Sequence, residues 1–349
     1  MENKLEINTH GCLVGYDHDV LDIENLVIPE EVNGIKVTEI GSNLFSSNYL
    51  VKSVVLPKTV RIIHSGAFCR CEELEEINLE DVQEIDAYAF MRTKVGGTIE
   101  KPLNLKNCER IEHSAFRMCD EIEGLELGDN VHIGYRSFYL CENLKKVVMG
   151  NTCEVQSSAF TECSSLKDII AGNYCIFRSK SVADNLSLEA ITIGNSAEIE
   201  EESFLGCKKL HALDCGNRCR IEDNFGYLDD NFRLYLGEKC KMNSDILGLR
   251  KAENIKFFDD DIDIYLKRKI ECKNWEIFYN NLDVVLSLVK QGNYNKKLEL
   301  KYVWNNYSSG ISFKNDVHGL QITFYAKDAT KEQKENVLEK IKSYNFELG

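Results

Sequence analysis

The chain has 349 residues, with 42 Lys+Arg against 57 Asp+Glu, a net charge of −15, and 43% apolar residues. The apolar share can build a sizeable core and excludes a mainly disordered chain. The acidic balance excludes a general nucleic-acid binder, which needs a basic face for phosphates.

No apolar run reaches the roughly 18 residues of a membrane span. The first residues show no basic start leading into an apolar stretch, so no secretory signal is expected. Residues 1–45 read as a lead-in and capping segment. From there a repeat governs the chain. An aromatic anchor, usually after Ala or Ser, recurs at Phe45, Phe68, Phe90, Phe116, Phe138, Phe160, Phe204 and Phe225, mostly at intervals of 22 residues. Val182 stands where one anchor is missing. A second marker keeps the same step: a Gly at Gly128, Gly150, Gly172, Gly194, Gly216 and Gly237. These glycines are expected at tight corners with φ > 0.

Five residues before each anchor stands an apolar residue: Ile40, Ile63, Ile85, Ile111, Ile133, Val155, Phe177 or Ile199. Six residues after it stands Leu74, Ile122, Leu144, Leu166, Leu188 or Leu210. An alternating pair follows, as in Val147 and Met149, which predicts a short strand with one face inside. The stretch before the anchor predicts a second extended segment, and the anchor with the next four residues a turn or short helix. One unit cannot bury its apolar positions alone, so units must stack into a solenoid of parallel β coils with about 22-residue repeats.

The unit "L-x-x-I-x-I-G-N-x-x-x-I-x-x-x-A-F-x-x-C-x-x-L" resembles the BspA-like class of bacterial leucine-rich repeats. Ile28, Pro29, Asn33, Gly34, Val37, Ile40 and Gly41 match the way such arrays begin. The resemblance covers about residues 11–240 and implies a leucine-rich-repeat solenoid over residues 46–258. It also implies relatives that are mostly surface or secreted binding and adhesion proteins.

Most of the 14 cysteines keep the register. Cys71, Cys119, Cys141, Cys163 and Cys207 lie three residues after an anchor; Cys153, Cys175, Cys219 and Cys240 lie three after the marker Gly. Val131 and Ala197 stand at the equivalent of the second set, so the slots read as small, buried and apolar. No paired C-x2-C units occur, so no metal or other cofactor is expected. Reduced thiols point to the cytoplasm; the rival location is the cell surface or the medium, reached by a non-classical route.

Residues 259–349 read as a small α+β unit outside the repeat. Trp275, Phe278, Tyr279, Leu282, Val285, Leu286 and Val289 have helical spacing. Three alternating stretches follow, from Leu298 to Trp304, Ile311 to Phe313 and Leu320 to Phe324, with turns at 305–310 and 315–319. Thr330 and Gln333 form a capping box for a last helix carrying Val337, Leu338, Ile341 and Tyr344. Residues 252–258 add a closing strand to the array. The run Asp259, Asp260, Asp261 and Asp263 lacks the Gly of a calcium loop and reads as a solvated turn.

The strands of the array direct one column of residues outward: Val55, Asn78, Asn104, Glu126, Val148, Ile170, Thr192, Asp214 and Tyr235. Lys146 and His211 flank it. These residues are expected on one continuous sheet surface, with Val148 and Ile170 as adjacent apolar positions among charges. No nucleophile elbow, H-E-x-x-H, P-loop or dinucleotide fingerprint is present. His64 and His113, beside anchors, are expected to face solvent. The sequence therefore predicts a non-enzymatic protein-interaction module whose partner is a protein of basic character, with no nucleic acid or membrane involved. The alternatives are a surface or secreted adhesin or effector, an intracellular immunity or inhibitor protein, and an enzymatic activity in the C-terminal unit.

Overall fold

The computed structural model describes residues 5–17, 24–222, 232–237, 240–242, 255–257, 270–272, 279, 282, 286, 297–304, 307–316, 319–326 and 330–344. Anchor Phe225 and the acidic run from Asp259 to Asp263 lie outside them.

The period becomes a stacked series of coils, each placing its residues over those of the coil before. The segment before each anchor supplies a two-residue strand to a twelve-stranded sheet. Its strands run Leu5–Ile7, Cys12–Tyr16, Glu39–Ile40, Ile62–Ile63, Glu84–Ile85, Arg110–Ile111, His132–Ile133, Glu154–Val155, Ile176–Phe177, Glu198–Ile199, Arg220–Ile221 and Lys241–Met242. All pairings are parallel except the first, where Leu5–Ile7 runs antiparallel to Cys12–Tyr16 and closes the end of the array. A second, eight-stranded parallel sheet holds Leu103–Leu105, Gly124–Leu127, Lys146–Met149, Asp168–Ala171, Ala190–Ile193, Ala212–Cys215, Arg233–Leu236 and Ile255–Phe257. The last of these is the expected closing strand. Among the described residues the segment after each anchor is a turn, not a helix.

The core is a set of ladders. Tyr16, Phe45, Phe68, Phe90, Phe116, Phe138 and Phe160 stack with ring centroids 5.1–5.4 Å apart and planes within 15°. Tyr16 starts this column one coil before the first anchor that the period reveals. The Ile, Val and Leu positions of the repeat are buried beside it.

The marker glycines serve a different purpose from the one expected. Gly128, Gly150, Gly172, Gly194, Gly216 and Gly237 do not have positive φ. A Cβ on Gly172 would sit 2.6 Å from the Gly150 carbonyl oxygen, so these positions need Gly because coils pass too closely for a side chain. The left-handed corners fall elsewhere. In the coil of Phe138 they are Arg136, Leu140 and Thr152, at φ 55–60°. Each carries a Cβ in a region that ordinarily costs about 1–2 kcal/mol per residue. Backbone hydrogen bonds to the next coil hold these corners, as where Leu140 N–H donates to the Thr161 carbonyl at 3.3 Å and Thr152 N–H to the Asn173 carbonyl at 2.7 Å.

The residues after Gly128, Gly150, Gly172, Gly194 and Gly216 build a second ladder. Asn151 donates from its backbone N–H and its Nδ2 to Asp129 Oδ1, at 2.6 and 3.1 Å. Asn173 does the same to Asn151 and Asn195 to Asn173, and Asn217 N–H continues to Asn195 Oδ1 at 2.7 Å.

Among the described residues no thiol is joined in a disulfide, and most are buried. They are donors as well as packing groups. Cys71, Cys119, Cys141, Cys163 and Cys207 donate to the carbonyl of the previous anchor-position residue at 3.0–3.2 Å. Asn185 fills the same slot and donates to Phe160 O at 2.8 Å. Thr93, in that slot one coil on from Cys71, donates to Phe90 O in its own coil at 3.0 Å. This slot is therefore polar, contrary to the apolar reading. The slot after the marker Gly does admit Val131 and Ala197, and there too Cys153, Cys175, Cys219 and Cys240 donate to the carbonyl of the preceding coil's Gly.

In the C-terminal region Lys297–Trp304, Tyr307–Asp316 and Gly319–Ala326 form the expected antiparallel meander, with Ile270–Cys272 added in parallel at its edge. The turn placed at 305–310 is tighter, because pairing resumes at Tyr307. Helix Lys331–Ser343 has Thr330 as N-cap with Gln333 completing the capping box, and it buries Val337 and Ile341. Residues 279, 282 and 286 are helical, and Leu282 and Leu286 are buried.

Candidate functional site

The eight-stranded sheet carries the outward column in register. Asn104 pairs with Glu126, Glu126 with Val148, Val148 with Ile170, Ile170 with Thr192, Thr192 with Asp214 and Asp214 with Tyr235. Strand alternation sets this direction: in Lys146–Met149 and Asp168–Ala171 the second and fourth residues are buried and the first and third reach the surface. Ile170 is 41% exposed. Beside it, Lys146, Asp168, Ala190 and Ala212 form a parallel column. A third row, Glu123, Lys145, Lys167, Glu189 and His211, enters the sheet through successive backbone hydrogen bonds.

Val55 and Asn78 do not share this surface. Val55 is outward, but it belongs to a separate three-stranded sheet of Asn25–Val27, Ser53–Val55 and Glu76–Ile77. The expected continuous face is broken between Ile77 and Leu103. The cause is a longer coil, with 26 residues from Phe90 to Phe116. Within it Gly97 makes only an isolated bridge to Ile122. Asn78 is occupied structurally, since its Oδ1 accepts from Leu56 N–H and its Nδ2 donates to Leu56 O.

Electrostatics divide the face. Glu126 is paired with Lys106 at 2.7 Å and Lys145 with Glu123 at 2.7 Å. Asp214 has no such partner: its Oδ1 is buried without a hydrogen bond, and burial pushes its carboxyl above the usual range. The centre of the face thus combines an aliphatic pair, half-buried Val148 and exposed Ile170, with a carboxyl group that has one buried oxygen without a donor.

The turn side of the coils holds a cluster that the repeat pattern hides. His113 stacks on Tyr135 at 5.3 Å and meets Tyr88 edge-on, with the Tyr88 hydroxyl 2.7 Å from its Nε2. Arg136 lies over Tyr135 and Tyr139 at 4.9 and 5.1 Å, and Arg117 over Tyr139 at 5.4 Å. His113 is therefore half-buried and packed, not simply facing solvent. His64 is held too, between Glu39 and Asp86. Among the described residues one set of side chains has metal-ligand chemistry, namely Cys12, Glu39 and His64 on the twelve-stranded sheet. No helix among the described residues is long and apolar enough to cross a membrane.

The pattern described as "BspA type Leucine rich repeat region" matches residues 38–166 and 97–211, in six copies. No curated protein matches. Among solved structures, a leucine-rich repeat protein of T. pallidum is 21% identical, covering 59% of this chain and 87% of its own, with a TM-score of 0.43. One from Bacteroides ovatus is 18% identical, covering 86% of this chain and 98% of its own, with a TM-score of 0.39. A leucine-rich cell surface protein from Faecalibacterium prausnitzii is 15% identical, covering 73% and 93%, with a TM-score of 0.39.

Proposed function

We propose that this chain, which belongs to the BspA-type leucine-rich-repeat family, is a non-enzymatic protein-interaction module that binds across its eight-stranded sheet. The observation that carries the reading is the register of Val148 with Ile170, an outward aliphatic pair flanked by Lys146 and Asp168. Such a patch ringed by charge has the anatomy of an interface centre. The sheet is braced on every coil, so little side-chain and backbone freedom is lost on binding.

The partner's chemistry follows from charge. The net charge of −15 steers basic surfaces toward the rod. Asp214 adds an acidic group to the same outward column, opposite which an Arg or Lys of such a partner fits. The ladder of free thiols supports a reducing compartment, and a cytoplasmic location is part of the proposal.

Capture from native lysate tests it. The double variant Val148→Glu, Ile170→Glu is expected to lose the partner while keeping the circular dichroism and melting temperature of the parent. Undiminished capture by the folded variant rejects this face. Recovery of the protein solely from envelope or medium rejects the location.

A further inference from the structure

We propose that Cys12, Glu39 and His64 form a binding site for a zinc-like divalent metal ion at the N-terminal end of the solenoid, with Asp86 orienting His64. The residues come from successive coils, so the stacking of the fold, not local sequence, brings them together. Cys12 pairs in register with Glu39, and Glu39 with Ile62, two residues before His64.

The Cys12 thiol sulfur, a Glu39 carboxylate oxygen and a His64 imidazole nitrogen all lie within 4.8 Å of one another. Bonds of about 2.0–2.3 Å to a tetrahedral zinc need donors roughly 3.3–3.8 Å apart, so small rotamer adjustments suffice. His64 Nε2 faces Glu39 Oε2 at 2.8 Å. Its Nδ1 faces Asp86 Oδ2 at 2.9 Å. A carboxylate on the far nitrogen is the arrangement that fixes tautomer and ring orientation in metal-bound histidines. Cys12 is buried, whereas the Glu39 and His64 side chains are 28% and 29% exposed, which gives an ion a path in and leaves a fourth position for water. When an ion binds, the thiol proton and the Nε2 proton leave to solvent, and the ion takes their places against the same carboxylate.

The same sheet contains its own control. Arg178 stands in the position of His64, bound to Glu154 at 2.5 Å and to Glu200 at 2.6 Å, and His132 stands in the position of Cys12. That is an ion-pair staple between coils, and a guanidinium cannot ligate a metal. At the N-terminal end the staple position carries imidazole and its neighbour carries thiol, both of which are zinc ligands.

The test uses the full-length protein, stripped with chelator and titrated with Co²⁺ and then Zn²⁺. The expected result is a thiolate-to-cobalt charge-transfer band that zinc displaces. Cys12→Ser should abolish the band. His64→Arg rebuilds the Arg178 staple, so it should keep the parent melting temperature while weakening metal binding by about tenfold or more. Absence of the band in the parent protein overturns the proposal. So does a band of unchanged strength in both folded variants, since the ion would then sit on other thiols.

Discussion

Phe177 and Phe204 meet with ring centroids 5.8 Å apart and planes inclined at 55°. This tilted pair stands where the stacked anchor column is interrupted. Val182 leaves a ring's worth of space in its coil, and Phe177 occupies a position that elsewhere holds Ile or Val. The two exchanges compensate in volume. Val182→Phe alone should overpack the core and cost about 1–3 kcal/mol. Phe177→Ile alone should leave a cavity and cost on the order of 2 kcal/mol. The double variant, with its column restored, should lie well above the sum in equilibrium urea denaturation. Additive costs would show that the two sites are independent.

The two cysteine slots should respond differently to the same change. Cys141 donates to Phe116 O at 3.1 Å in a slot that also takes Asn and Thr. Cys141→Ala removes that donor and should cost about 1–2 kcal/mol, with Cys141→Ser recovering part of it. Cys175→Ala, in the slot where Ala197 stands naturally, should cost less than half as much. Denaturant midpoints of the three variants decide the matter.

The amide ladder predicts an asymmetry between its first rung and its middle. Asp129 only accepts, from Asn151. Asp129→Asn keeps that acceptor and should stay within about 0.5 kcal/mol of the parent. Asn173 both donates to Asn151 and accepts from Asn195. Asn173→Ala leaves a backbone N–H of the next coil without its partner and should cost about 1–3 kcal/mol. Thermal melts of both variants provide the comparison.

His113 gives a pH prediction. Burial lowers its pKa, and the neighbouring Arg136 and Arg117 lower it further against a smaller opposing effect of Glu112. Tyr88 and Tyr135 complete its surroundings. The folded protein thus prefers neutral imidazole. Its contribution to stability is complete above the unfolded pKa, near 6.5, and is lost as pH falls from there through the folded value. Arg136→Gln should move the His113 titration upward when followed by NMR. A downward or absent shift contradicts the assignment.

The period disclosed the coils, the anchors and the outward column because each recurs at a fixed interval. Tyr16 escaped because it precedes the first repeat. The sheet break escaped because the alternation at Leu103 and Leu105 looks the same whether or not Gly97 forms a strand before it. The marker glycines were found for the right positions and the wrong reason: sequence shows that a Cβ is excluded, not whether φ or a neighbouring backbone excludes it. The Cys12, Glu39 and His64 set spans three coils at spacings that match no local motif. Tyr88, His113, Tyr135 and Arg136 stand two or three residues before their anchors, but the residue type changes from coil to coil, so a search for recurring residues passes over them.

The buried thiols also give the rod a gauge of its own motion. Nearly every coil from Phe68 to Cys240 has at least one sulfhydryl sealed in its interior. A bulky thiol reagent reaches such a group only when that coil loosens. Labelling rates, read residue by residue by mass spectrometry, would therefore chart how firmly each rung is held, from the hairpin that closes one end to the last strand at the other.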